Sequence, residues 1–168
     1  QANWKTERHK YEGGFTRNFA TYNPQVARDE MFFLGKHGGI KDGKGAISTK
    51  SGALNDYPYG FSSRFEGKPG SNPEELIGAA HAACLTMALS LILGEAKLTA
   101  EQMETRADVT LEKQGDCFAI TSVHLTLNAK IPGADDAKFQ ELAGKAKAGC
   151  PVSKLLNTKI TLDAILQS

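Results

Sequence analysis

Cysteine is scarce in this chain, and what there is forms no cluster. Cys84, Cys117 and Cys150 are the three in 168 residues. An odd number at wide spacing is no secreted disulfide framework. With no C-x-x-C there is neither a zinc knuckle nor a thioredoxin-type motif. The sequence also lacks a P-loop, a G-x-G-x-x-G after a strand, a G-x-S-x-G and an H-E-x-x-H, so nucleotide cofactors and zinc hydrolysis lose their main support. Charge of one sign is missing too. The net charge is +1 and the lysines are scattered, which argues against a nucleic-acid surface. The first ten residues carry charges, a Trp and a His but no apolar core, so no secretory signal is expected there. The most apolar run, residues 76–93, is just long enough to raise the question of a membrane span. It holds Gly78, His81, Cys84, Thr86 and Ser90, and reads as a buried helix instead. A cytoplasmic protein with no membrane and no nucleic-acid partner is expected, and in that compartment reactive-thiol chemistry is the logic to test.

What is present is ordinary for a globular domain: 40% hydrophobic and 23% charged residues, and enough chain for a core. Asn23-Pro24 with Gly35 downstream predicts a short helix. Gly38-Gly39 and Asp42-Gly43 are turn signals, followed by β-like runs at 46–49 and 57–65. The clearest helix spans 73–93. Asn72 caps it, Pro73 opens it, Glu75 sits at the capping-box position, Glu74 and Glu75 suit the helix dipole, and Gly94 lies just past its end. Past its first turn the helix is apolar nearly all round, which places it in a core or a subunit interface. Strands are expected at 106–112 and 118–127, joined through Gln114-Gly115-Asp116. A second helix at 134–148 puts Phe139, Leu142 and Ala146 on one face. Pro151 opens a short helix to Leu156, and 160–166 closes as a strand. The order βββ-α-ββ-α-β is α+β, with no doubly wound sheet.

Two thiols compete for attention. Cys84 lies near the middle of the apolar helix, where a free cysteine is ordinarily a small buried hydrophobe; to react, it needs a cation that lowers its pKa. Cys150 precedes Pro151, so it belongs at the N-terminal edge of the short helix, where the dipole and free N–H groups favour thiolate. Physics alone ranks Cys150 the more acidic. Cys117, after a turn, is assigned no role. His81 stands one turn before Cys84. The pair suggests a two-ligand metal site or a Cys–His hydrolase only weakly, and a packed histidine is the plainer reading.

Several segments together resemble the OsmC/Ohr family. They are Pro58-Tyr59-Gly60-Phe61, Arg64-Phe65-Glu66-Gly67, the run from Asn72 through Glu74-Glu75 to Ala82-Ala83-Cys84, and Lys145 through Gly149-Cys150-Pro151-Val152-Ser153. The Gly-Lys-Gly-x-x-Ser-Thr run from Gly43 and the closing Ile160-Thr161-Leu162-Asp163 fit as well. Segment similarity favours the OsmC branch. The resemblance implies an OsmC-like fold, a β-sheet wrapped around a long central apolar helix, in an intertwined homodimer. It implies a thiol-dependent peroxidase that reduces organic hydroperoxides, and hydrogen peroxide less well. By match, Cys84 is the peroxidatic cysteine, Cys150 the resolving one, and Arg64 and Glu74 the activating pair. No flavin, haem or metal is implied; an external thiol, a lipoyl-type dithiol, restores the enzyme. One domain over 1–168 is expected, within which 6–37 have no counterpart in the family pattern, and Gln1-Ala2-Asn3-Trp4 resembles a first strand.

Spacing adds an inference of its own. Glu74 and Cys84 are ten residues apart on one helix, about 15 Å along its axis, too far for a Glu side chain. If both serve one site, the Glu comes from the partner subunit. Two other classes stay open at this point: a stress-related binding module of the same fold with an unreactive Cys84, and a Cys–His hydrolase.

Overall fold

The computed structural model describes residues 8–10, 16–18 and 32–167. The chain divides into two compact units, Gln1–Ser71 and Asn72–Ser168.

The first unit holds two small antiparallel sheets. Strands β1 (Arg8–Lys10) and β2 (Thr16–Asn18) pair with each other. Strand β4 (Lys44–Thr49) lies between β3 (Phe32–His37) and β5 (Tyr57–Tyr59). The β3–β4 connection turns where the glycines predict. Gly38 adopts a left-handed φ of 86°, and the Gly43 N–H donates to the Gly39 carbonyl at 3.0 Å. Two expectations fail here. Residues 23–31 of the helix expected from Asn23 lie outside the described residues, but Phe32–His37 is a strand, with Gly35 opposite Ala46. A ladder to a distant partner overrides the local Pro and Gly signals. The β-like run 57–65 also stops early, at Tyr59. From Phe61 to Phe65 the chain coils into a short helix, α1. Ser63 explains the switch: its hydroxyl accepts from the Gly60 N–H at 3.0 Å and donates to the Ser71 carbonyl at 2.8 Å. The strand resembling Gln1-Ala2-Asn3-Trp4 falls outside the described residues.

The second unit is built on α2, Pro73–Glu95. It starts as predicted: the Asn72 side chain accepts from the Glu75 N–H at 2.8 Å, with Pro73 in the first turn. It ends two residues later than Leu93, because Gly94 stays helical and the chain leaves through Lys97 at φ 58°. Strands β6 (Gln102–Gln114) and β7 (Cys117–Lys130) form a long hairpin, turning at Gly115 with φ 61°. Helices α3 (Asp136–Gly149) and α4 (Pro151–Leu155) carry the chain over to β8 (Lys159–Gln167), which pairs parallel with β7. The sheet order is β6-β7-β8.

The core lies between this sheet and the helices. Leu85, Leu89 and Leu93 of α2 meet Val123, Leu125, Leu127 and Ala129 of β7 and Phe139, Leu142, Ala143 and Ala146 of α3, all buried. Burying each of the larger side chains stabilises the fold by about 1.5–3 kcal/mol. Gly78 lets α2 approach β6 closely, since a Cβ there would stand 3.2 Å from the Ala107 carbonyl oxygen. Helix α2 is apolar on its far side as well: Ala80, Ala83, Met87 and Leu91 are exposed, Met87 by 73% and Leu91 by 67%. By length and composition α2 could cross a membrane. Its inward stripe of His81, Leu85, Leu89 and Leu93 instead packs into this core.

Candidate active site

Helix periodicity sets Cys84 one residue before the buried stripe, so its side chain is only half-buried. The second thiol arrives from the far end of α3. There Pro151 removes one N–H and forces Cys150 out of the helical region, to φ −60°, ψ 123°. The residue is fully buried. The two sulfurs stand 2.9 Å apart, although 66 residues separate them in sequence. That gap is within hydrogen-bond reach and beyond the roughly 2.05 Å of a disulfide, and both cysteines are free.

The surroundings separate the two thiols as the sequence predicts. Burial pushes Cys84 up, the neighbouring Cys150 thiol adds to this, and the Val152 N–H offsets only part. Burial also pushes Cys150 up, but its hydrogen bonding with the Cys84 thiol, with the Ser153 N–H and hydroxyl and with the Val152 N–H outweighs it, so its pKa falls. The cause differs in detail from a helix dipole. Helix α4 has five residues and Cys150 makes no full capping bond, so individual N–H groups beside the sulfur do the work. Acidity and reach point to different sulfurs: the more acidic one is sealed, and the less acidic one meets solvent.

Sequence reasoning missed the layer behind the thiols. His81 is fully buried, and its Nε2 lies 2.7 Å from Ser153 Oγ. Burial lowers its pKa, which keeps the ring neutral. His81 Nδ1 has no hydrogen-bond partner among the described residues. Neither ring nitrogen is hydrogen-bonded to Cys84 among the described residues, so the Cys–His hydrolase reading lacks the thiol–imidazole contact it needs. Among the described residues no group of three His, Cys, Asp or Glu side chains could hold a metal ion, so the His81/Cys84 ligand pair has no third member. The only hint of the Ser153 contact in the sequence was its place one turn beyond Cys150.

The remaining candidates are Glu74, Arg64 and Cys117. Glu74 lies in the first turn of α2, on the same unbroken helix as Cys84 and about 15 Å from it along the axis. Arg64 belongs to α1 in the first unit, exposed, with its guanidinium 5.2 Å from the centre of the Phe65 ring. Cys117 is exposed at the start of β7.

The family model described as OsmC-like protein matches residues 65–164. Peroxiredoxin OsmC of Escherichia coli is 57% identical over 131 residues, 78% of this chain and 92% of that protein. The organic hydroperoxide resistance protein OhrB of Bacillus subtilis is 32% identical over 111 residues, 66% of this chain and 79% of its own length. The crystal structure of OhrB superposes with a TM-score of 0.59 at 27% identity, covering 82% of this chain and 98% of the other. An OsmC-like protein from Mycoplasma pneumoniae, at 12% identity, shares the fold with a TM-score of 0.68 over 85% of this chain and 100% of its own.

Proposed function

Because the chain belongs to the OsmC family, with the α+β fold of its OsmC and Ohr neighbours and a peroxidase-type function, we propose that it reduces organic hydroperoxides, and hydrogen peroxide less well, with Cys84 as the attacking thiol. The observation that carries this reading is the Cys84–Cys150 pair: 2.9 Å apart, one sulfur accessible and the other sealed. A peroxide reaches only Cys84. The Cys84 thiolate attacks the terminal oxygen of the hydroperoxide, the O–O bond breaks, and the alkoxide leaves and takes up the proton that Cys84 gave up on ionising, as alcohol. Cys84 is left as sulfenic acid. The Cys150 sulfur then attacks the Cys84 sulfur, which expels hydroxide; this takes up the Cys150 proton as water, and a disulfide remains. An external dithiol of the lipoyl type reduces it and becomes the oxidised product. Sulfur supplies every electron, so the reading requires no flavin, haem or metal.

Since its own surroundings raise the Cys84 pKa, the thiolate needs a cation, and we assign that role to Arg64, with Glu74 orienting the guanidinium and the peroxide. The 15 Å between Glu74 and Cys84 makes this Glu the partner subunit's contribution, and the apolar stripe of Met87 and Leu91 supplies the surface on which two copies of α2 would cross in a homodimer. A reducing cytosol suits a dithiol resting state.

The test is intact mass and free-thiol count after one equivalent of cumene hydroperoxide. Wild type is expected to lose two thiols, Cys150→Ser to gain oxygen, and Cys84→Ser to stay unchanged. Oxidation of Cys150 first would reverse the roles; no reaction at either thiol would leave a binding module.

A further inference from the structure

Helices α2 and α4 are joined by two side-chain links. One is Cys84 to Cys150; the other is His81 to Ser153 at 2.7 Å. The second stands one helical turn from the first on both elements, His81 three residues before Cys84 and Ser153 three after Cys150. Each link joins one fully buried residue, His81 or Cys150, to a half-buried one, Ser153 or Cys84.

The proton on this link can be assigned from the network. If Ser153 donated to Nε2, the His81 hydrogen would sit on Nδ1, and a buried N–H would have no partner among the described residues. Buried orphan donors are rarer than orphan lone pairs. The ring therefore carries its hydrogen on Nε2 and donates to Ser153 Oγ. That leaves the Ser153 hydroxyl hydrogen free, and Ser153 stands at the third position of α4 with Cys150 at its N-cap, two positions whose side chains face each other across the first turn.

We propose that His81 and Ser153 are positioning residues for the resolving step: His81 orients the Ser153 hydroxyl, which holds the Cys150 sulfur in line with Cys84 and stabilises it as an anion while it attacks the sulfenic acid. This rests on the peroxidase reading above. In that step the S–S bond forms, the S–O bond of Cys84 breaks, and the departing hydroxide takes the proton given up by Cys150. Neither positioning residue is consumed, and neither touches the peroxide. Their effect falls on disulfide closure and not on the first attack.

Rapid chemical quench followed by mass spectrometry resolves the two steps on the full chain. One reaction arm is trapped with dimedone for sulfenic acid, and the other is alkylated for remaining thiols. In Ser153→Ala and in His81→Leu, the ratio of disulfide closure to Cys84 oxidation is expected to fall about tenfold, as for a lost hydrogen bond to a charged group. Dimedone adduct and over-oxidised Cys84 rise accordingly. His81→Gln, whose amide nitrogen can stand near the Nε2 position, should bring the ratio back toward wild type. The double variant should be no slower than the worse single one. A ratio unchanged in Ser153→Ala, or both steps slowing together, overturns the relay while wild type still oxidises normally. A wild type that forms no Cys84 sulfenic acid removes the peroxidase reading itself. Should His81→Leu fail to fold, Ser153→Ala decides alone, because its half-buried hydroxyl can be removed without opening the core.

Discussion

The middle of α2 and the α3–α4 junction solve opposite problems for the same atom type. In mid-helix, Cys84 has no free backbone donors from its own element, since the N–H groups of α2 around it are spent inside the helix; it gains reach and loses acidity. At the junction, the break imposed by Pro151 frees N–H groups beside Cys150, which gains acidity and loses reach. A chemist choosing a nucleophile from acidity alone picks the wrong sulfur under our reading. Under that reading, access decides which thiol meets a peroxide, and acidity decides which thiol is ready to close the disulfide.

The largest expected effect breaks the comparison outright. Cys84→Ser should cut peroxide turnover by on the order of a thousandfold or more, as removal of a nucleophile does, measured as cumene hydroperoxide consumed with a dithiol in excess. Cys150→Ser should keep one fast turnover and then stall. Stopped-flow traces would show a burst without a steady state, and mass spectra would show added oxygen. A steady state equal to wild type would mean that Cys150 is a spectator. Next come the two faces of α2. Leu89→Ala should cost about 2–5 kcal/mol in urea unfolding, because the core cannot refill the cavity. Leu91→Ala should cost the isolated chain under about 0.5 kcal/mol, and Leu91→Glu should shift sedimentation toward monomer. The smallest effect is acid lability. Burial depresses the His81 pKa in the fold, so the unfolded chain binds the proton first as pH falls. Stability from this source is present above about 6.5 and declines below it. His81→Gln should flatten the melting temperature across that range.

Much of this was legible in the sequence, and the rest was hidden for physical reasons. The start of α2 could be read because Asn72, Pro73 and Glu75 act on their own backbone. The hairpin at Gly115 and the edge position of Cys150 are local in the same sense. Segment 57–65 was misread because Ser63 turns the chain by bonding to Ser71, a partner no β-pattern contains. Residues 32–34, expected at the end of a helix closed by Gly35, are strand instead because the ladder of 32–37 to 44–49 outweighs nearby turn signals. The 2.9 Å meeting of Cys84 and Cys150 entered only through family resemblance. The His81–Ser153 bond spans 72 residues of sequence and was not anticipated at all.

The separation between the two thiols has a further consequence. Closing Cys84 to Cys150 ties off 66 residues of chain, most of the second unit. In the chain-entropy picture, such a loop deprives the unfolded state of freedom equivalent to about 4 kcal/mol. Each catalytic cycle would then alternate the protein between a tethered and an untethered polymer. A thermal melt becomes a redox gauge, with the peroxide-treated protein unfolding at a higher temperature than the dithiol-treated one and Cys150→Ser showing no such gap.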